Sequence, residues 1–177
     1  MFTRFNKSLI AIALVAGGVT AAQADGLYVG GSVGAPNYSN AINGIGGNGG
    51  GSGPAVNLYG GYQISPHVAV EAGAYRLGSK SDGNGTVKSH GVYLDGVGTY
   101  EIAPKLSLLG RIGVAEARFT TTGGDDSSPG IRAGAGLEYE LTPQMSLRAE
   151  YDRTHYTNAF DAKPNTGEYA VGLKVGF

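Results

Sequence analysis

Residue types that commonly carry protein chemistry are scarce in this sequence. Its 177 residues include three histidines and no cysteine, so disulfides, thiolate metal sites and thiol nucleophiles are excluded. His67 follows Pro66 in a predicted turn, and His90 lies at the edge of a predicted loop, where a histidine is usually solvated. Asp125 and Asp126 could hold a divalent cation, although adjacent carboxylates in a loop are more often only solvated. The sequence therefore predicts no metal site and no cofactor.

Eight charged residues have the same position relative to the predicted strands. Each lies near the middle of a strand, on the face opposite the apolar one. They comprise four acids and four bases, namely Glu71, Asp95, Arg111, Arg132, Glu138, Arg148, Glu150 and Lys174. Charges taken out of water are costly unless they are paired. We therefore expect these residues to form a network of ion pairs on a protected face.

Segments with period-two alternation must position these charges. In the last segment the odd positions from Tyr169 to Phe177 are aromatic or aliphatic, whereas the even positions from Ala170 to Gly176 are small or charged. Alternation over about ten residues is the signal of a β-strand. Eight such segments are predicted, roughly at residues 27–35, 55–64, 68–78, 90–101, 105–119, 130–141, 145–156 and 168–177.

A repeated motif predicts three short turns. Segments that begin at Tyr62, Tyr100 and Tyr139 share the order Tyr, polar, Ile or Leu, small, Pro, any residue, apolar, small, apolar. Proline cannot pair inside a sheet and favours a turn. Longer polar or glycine-rich connections alternate with these turns, at residues 36–53, 79–88, 120–129 and 157–167.

The N-terminus predicts export. It has a basic start, an apolar run over residues 8–19 and a small-x-small cleavage site at residues 22–24. The run is too short to span a membrane as a helix. We therefore expect a signal peptide at residues 1–24 and one domain at residues 25–177. The formal net charge of −1 gives no electrostatic reason to expect a nucleic-acid partner.

These features predict an all-β fold, an eight-stranded antiparallel up-and-down transmembrane β-barrel. Strands of about ten residues joined by alternating short and long connections are typical of such barrels, with the apolar side toward lipid. The last strand must then pair with the first, which explains why the chain ends on an aromatic residue. Tyr62, Tyr100, Tyr139 and Phe177 are expected to form an aromatic girdle at the periplasmic interface.

The chain resembles the membrane domain of the OmpA-like family of outer-membrane barrels. The residues that carry the resemblance are residues 59–66, 70–73, 91–94, 110–113, 133–139, 147–151 and 171–177. Each stretch is a weak motif, but seven in order are specific. The resemblance implies a non-enzymatic, integral protein of the bacterial outer membrane, without the periplasmic peptidoglycan-binding domain that many members append.

The resemblance also implies roles for individual residues. Glu71, Glu138 and Arg148 stand where the family keeps gating or bracing charges in the lumen, whereas Val97 stands where the family has a lysine. Any salt-bridge switch would therefore differ here. The terminal Phe177 is similar to the signal that such barrels present to the barrel assembly machinery. Outer-membrane lipid and lipopolysaccharide are the other expected partners, and the expected state is a monomer.

A second resemblance leaves an enzymatic alternative open. His155 and the residues after it are similar to the active-site stretch of PagL-type lipid A deacylases, which are also eight-stranded barrels. The matching set is His155, Thr157, Asn158 and Asn165, with Thr157 in place of the family's serine. The nearest acid is Glu168, which alternation turns toward the lumen. The alternatives are thus a lipid A hydrolase or a narrow pore.

Overall fold

A computed structural model describes residues 26–39, 49–50, 53–82, 85–121, 124–156 and 165–177. Strand is the regular structure of this part of the chain, with β1 (Leu27–Ser39), β2 (Gly49–Gly50), β3 (Ala55–Ser65), β4 (Val68–Asp82), β5 (Gly85–Ala103), β6 (Leu106–Thr121), β7 (Gly124–Thr142), β8 (Met145–Tyr156) and β9 (Asn165–Gly176). Within the described residues no helix is long and apolar enough to cross a membrane. The predicted signal peptide lies outside the described residues.

Eight long strands close into a barrel. Each strand pairs antiparallel with its neighbour in the chain, and β1 also pairs with β9, whereas β2 is a two-residue segment on the end of β1. The closing register runs from Tyr28 opposite Gly176 to Ser39 opposite Asn165. The Phe177 amide donates a further hydrogen bond to the Leu27 carbonyl at 3.0 Å. The predicted eight-stranded antiparallel barrel is confirmed, and the last residue seals its seam.

The three repeated motifs form the three short turns of the barrel. In each one the register shifts just before the turn, between Gln63 and Ser65, between Glu101 and Ala103, and between Glu140 and Thr142. The Ile or Leu of the motif is thus the extra residue of a β-bulge, which sharpens the bend into the proline-containing turn. The sequence repeat therefore encodes one structural device, used three times.

Two of the predicted long connections were wrong. Residues 79–88 and 120–129 are mostly strand, because β4 and β5 continue to Asp82 and Gly85, and β6 and β7 to Thr121 and Gly124. Polar residues carry the strand signal poorly, but their backbone groups still pair across the extended hairpins. His90 accordingly lies inside β5, opposite Arg76 and Arg118, and not at a loop edge. Asp125 and Asp126 pair through their backbones in β7.

The two faces of the barrel wall have opposite chemistry. Large apolar side chains such as Leu58, Ile112, Val114 and Ile131 point outward and are about 60% exposed. The interior instead holds charged residues, tyrosines and small side chains. This arrangement is the reverse of a water-soluble barrel and suits a wall that meets lipid.

Interior tyrosines pack against glycines of the adjacent strand. Tyr28 lies directly opposite Gly61, and Tyr93 lies directly opposite Gly73. A Cβ atom built on Gly73 would come within 2.5 Å of the Tyr93 ring. The same pairing recurs for Tyr59 with Gly30, Tyr75 with Gly91 and Tyr156 with Gly130. Glycine at these positions makes room for a ring that lies flat across the neighbouring strand.

Candidate functional site in the barrel lumen

All eight charged residues singled out from the sequence point into the barrel. Glu71, Asp95, Arg111, Arg132 and Arg148 are buried, and Glu138, Glu150 and Lys174 are half-buried. Strand alternation explains this placement, because residues two apart on one strand share a face. The structure brings all eight into one connected set of ion pairs, together with Asp152.

The part of this set nearest the short turns is a chain of four residues. Lys174 Nζ contacts Glu138 Oε1, and Glu138 Oε2 accepts from Arg148 Nε at 2.6 Å. Arg148 Nη1 then donates to Glu71 Oε1 at 2.5 Å. Arg148 thus bridges two carboxylates with separate nitrogens, which it can do because a guanidinium carries five N–H donors.

Arg111 is the hub of the network. Its Nη1 atom lies 3.3 Å from Glu71 Oε2 and 3.6 Å from Asp95 Oδ2. Its Nη2 atom contacts Glu150, and its Nε atom lies 3.4 Å from Asp152 Oδ1. The Arg111 guanidinium therefore offsets charge on four carboxylates. It links the series of ion pairs around Arg148 to the remaining charges.

Arg132 completes the network toward the other end of the barrel. Its Nη2 atom donates to Asp152 Oδ2 at 2.5 Å, and its Nε atom lies 3.4 Å from Asp95 Oδ2. Asp95 is 1% exposed, and among the described residues neither of its carboxylate oxygens has a hydrogen-bond partner. Within the described residues, Asp95 is thus held by the charges of two arginines.

Aromatic rings support the cations of the network. The Arg132 guanidinium lies 4.0 Å from the centre of the Tyr93 ring, and the Arg148 guanidinium lies 5.3 Å from that of Tyr59. The Tyr28 hydroxyl donates to Glu71 Oε1 at 2.9 Å. These contacts fill the space between ion pairs with ring surface that also stabilises positive charge.

A further interior acid lies outside the ion-pair network. Glu168 Oε1 accepts from Asn57 Nδ2 at 2.8 Å, and Asn57 also donates to Ser32. Glu168 lines a cavity of about 10 Å³ together with Asp152 and Arg132. A cavity of this volume holds roughly one water molecule.

Sequence reasoning missed several members of this interior. Asp152 lies two residues after Glu150 on the same strand face, so alternation alone could have found it. The interior tyrosines follow the same period-two alternation, but the residue type alone does not distinguish them from the tyrosines that point outward. Tyr62, Tyr100, Tyr139 and Phe177 do point outward near the short turns and are exposed.

The His155 stretch forms a different arrangement, on the outer face of the barrel. His155 Nδ1 lies 2.6 Å from Asn165 Oδ1. Glu168 points into the lumen and is buried there, so it does not reach the histidine. Thr157 and Asn158 lie outside the described residues. In the part of the chain that the structure describes, no group of histidine and acidic residues is arranged to hold a metal ion.

A family profile and individual relatives both match this chain. The sequence profile of the outer membrane protein beta-barrel domain matches residues 8–177. Outer membrane protein A of Salmonella typhi is 31% identical over 199 residues, which cover 97% of this chain and 55% of the relative. Outer membrane protein A of Escherichia coli O157:H7 is 31% identical over 194 residues, with 97% and 55% covered. The chain therefore spans about half the length of these relatives.

Solved structures show the same fold at low sequence identity. Neisserial surface protein A superposes with a TM-score of 0.69 at 19% identity and covers 86% of this chain and 98% of its own. The N-terminal β-barrel domain of Pseudomonas aeruginosa OprF gives a TM-score of 0.55 at 17% identity, with 83% and 96% covered. Both comparisons concern the shape of the barrel alone.

Proposed function

The chain belongs to the family of outer membrane protein β-barrel domains, as an OmpA-like integral protein of the outer membrane, and from this premise we propose that it is a non-enzymatic barrel with a closed lumen. Its role is to contribute to envelope structure and to present surface loops to partners. The barrel assembly machinery and lipopolysaccharide are its proposed partners in the envelope, and its proposed state is a monomer.

The observation that carries the closed lumen is the connected ion-pair network. It runs without a break from Lys174 through Arg148 and Arg111 to Arg132, and its side chains are between 0% and 15% exposed. Eight strands enclose an interior that side chains can fill. A solute would have to separate several buried ion pairs to pass, and a buried charge left without its partner costs about 3–5 kcal/mol.

Liposome swelling tests the closed lumen. Proteoliposomes that contain the full chain should swell in arabinose or sucrose no faster than liposomes without protein, whereas a general porin reconstituted in parallel should give rapid swelling. A swelling rate that falls with increasing sugar size would identify a pore and contradict the proposal.

The main competing function is hydrolysis of lipid A. A histidine acting as a general base needs an acid or equivalent partner that orients its ring. Here the partner of His155 is the neutral amide of Asn165, which can orient the ring but stabilises an imidazolium less than a carboxylate does, and Glu168 is engaged with Asn57 inside the barrel. These contacts favour a structural role for the His155 and Asn165 pair, which ties the outer ends of β8 and β9 together.

Mass spectrometry of lipid A separates the two functions. Lipid A from cells that express the protein should have the same acyl-chain number as lipid A from cells without it. A His155→Ala variant should leave this pattern unchanged. Loss of one acyl chain in the presence of the protein, restored by His155→Ala, would establish the hydrolase instead.

A further inference from the structure

The outer surface formed by β7, β8, β9 and β1 changes character along the strand direction. Starting from the periplasmic side, which carries the short turns, the rows on β8 and β9 read Leu147 with Leu173, Ala149 with Val171, Tyr151 with Tyr169, Arg153 with Gly167, and His155 with Asn165. An apolar zone thus passes through an aromatic pair into a cationic and polar zone. Tyrosines mark the level of the lipid headgroups, so the residues beyond them lie at or above that level.

A groove lies on the apolar side of the aromatic pair. Its volume is about 530 Å³, and it is lined by Ala135, Ala149, Val33, Val171, Tyr151 and Tyr169. The short alanine side chains set its floor below the two tyrosines, whose ring centres are 4.5 Å apart. Since the groove opens on the lipid side of the wall, its natural contents are acyl chains.

Arg153 lies directly beyond this groove and is exposed. Its neighbours on the adjacent strands are Ala133 and Gly167, which leave the guanidinium uncovered on both sides. Among the described residues, no carboxylate forms an ion pair with Arg153. The Tyr151 hydroxyl would lie 2.9 Å from a Cβ atom built on Gly167, so this hydroxyl reaches the same level as Arg153. Arg153 and the Tyr151 hydroxyl therefore lie at the same level, just beyond one apolar groove.

We propose that this face binds a phosphorylated, multiply acylated glycolipid, the lipid A part of lipopolysaccharide. An acyl chain would occupy the groove, and a phosphate would accept hydrogen bonds from Arg153 and Tyr151. Guanidinium groups suit this contact because their planar fork matches phosphate oxygens in pairs. The site specifies the lipopolysaccharide contact proposed above. It rests on the location of the barrel in the outer membrane and is independent of whether the lumen is closed.

Native mass spectrometry of the full chain in detergent tests the site, with bis-phosphorylated hexa-acyl lipid A as the probe. Arg153→Ala removes the phosphate contact, and Ala149→Trp fills the groove. Arg76→Ala is the matched control, because Arg76 is also outward and also the eighth residue after the first residue of its strand, but it does not line the groove. Electrophoretic mobility with and without heating verifies that each variant is folded.

Arg153→Ala should bind lipid A about tenfold more weakly, because it loses a charge-assisted hydrogen bond to phosphate. Ala149→Trp should bind it about tenfold more weakly as well, because the indole occupies the space of the acyl chain. The Arg76→Ala control should bind lipid A within about twofold of the wild type. Phosphatidylglycerol should bind the wild-type protein about tenfold more weakly than lipid A does.

Equal losses of lipid A affinity for Arg153→Ala and Arg76→Ala would overturn the site in favour of general charge attraction. Unchanged binding by Ala149→Trp, or by Ala149→Leu should the tryptophan prevent folding, would also overturn it. If phosphatidylglycerol binds the wild-type protein as tightly as lipid A does, the site is not specific for a glycolipid and the proposal is overturned. None of these outcomes affects the swelling test of the lumen.

Discussion

Glu71 and Asp95 are buried carboxylates in the same lumen, yet their partners differ in kind. Glu71 accepts hydrogen bonds from Arg148 at 2.5 Å and from Tyr28 at 2.9 Å, in addition to its contact with Arg111. Asp95 has two arginine contacts at 3.4 and 3.6 Å, and its side chain has no hydrogen bond to the part of the chain that the structure describes. Because charge-assisted hydrogen bonds are the strong component of a buried ion pair, the two acids should contribute unequally to stability.

The variants Glu71→Gln and Asp95→Asn test this inequality. Glu71→Gln should lower the free energy of unfolding by about 1.5–3 kcal/mol, because Arg148 loses a charge-assisted hydrogen bond even though it keeps Glu138. Asp95→Asn should cost about 1 kcal/mol or less, since Arg111 and Arg132 keep other carboxylates. Urea unfolding in lipid vesicles, followed by circular dichroism, measures both values. Equal losses would show that hydrogen-bond geometry does not decide the contribution of these acids.

At the level of residues, the sequence predicted which charges face the lumen but not which ones touch. Alternation assigns a face to each residue, so Arg148 and Glu71 could both be placed inside. Their contact joins residues 77 positions apart on strands that are not neighbours. Such contacts depend on barrel diameter and on the stagger of the strands, which period-two alternation does not encode.

At the level of elements, the wall is built from pairs of a tyrosine and a glycine on adjacent strands. Gly73 lies under the Tyr93 ring, and Tyr93 in turn lies under the Arg132 guanidinium. By contrast, a Cβ atom built on Gly110 in β6 would meet nothing within 4 Å. The high glycine content of this chain therefore has more than one cause, and only some glycines are required by packing.

Alanine substitutions at Gly73 and Gly110 should have opposite effects. Gly73→Ala places a methyl group against the Tyr93 ring and should destabilise the barrel by about 1–3 kcal/mol through overpacking. Gly110→Ala should be neutral or stabilising by up to about 1 kcal/mol, because alanine loses less backbone entropy than glycine on folding. Unfolding free energies of the two variants, compared with wild type, give the answer. A stable Gly73→Ala barrel would mean that the Tyr93 ring can move aside without cost.

The sequence predicted the strands well where they cross the apolar zone and less well beyond it. Residues 68–78 and 105–119 were recognised from alternating apolar side chains, and the observed strands Val68–Asp82 and Leu106–Thr121 contain almost all of them. The polar extensions resemble loops in sequence because solvent-facing strand residues need not be apolar. Backbone pairing with the next strand holds these ends, and such pairing has no signature in one strand alone.

At the level of the whole molecule, closure has two parts that depend on each other. The β1–β9 seam removes the last open edge, so that every strand of the wall has two partners. The wall then holds a polar interior in which ion pairs from β4, β5, β6, β7, β8 and β9 meet. The network links opposite sides of the barrel and thus both fills the lumen and braces the wall.

Replacement of Arg111 should open this interior. Arg111→Ala removes the side chain that contacts Glu71, Asp95, Glu150 and Asp152, so it leaves both a void and excess negative charge across the lumen. The folded variant should conduct cations in planar bilayers, with small steps that wild type lacks, because carboxylates in a narrow pore select for cations. Arg111→Lys, which keeps a positive charge, and Ile112→Ala, on the lipid side of the same strand, should both remain closed. A folded Arg111→Ala barrel, recognised by its heat-dependent shift in electrophoresis, that conducts no ions would contradict this prediction. The ion pairs of Arg111 would then not be what closes the lumen.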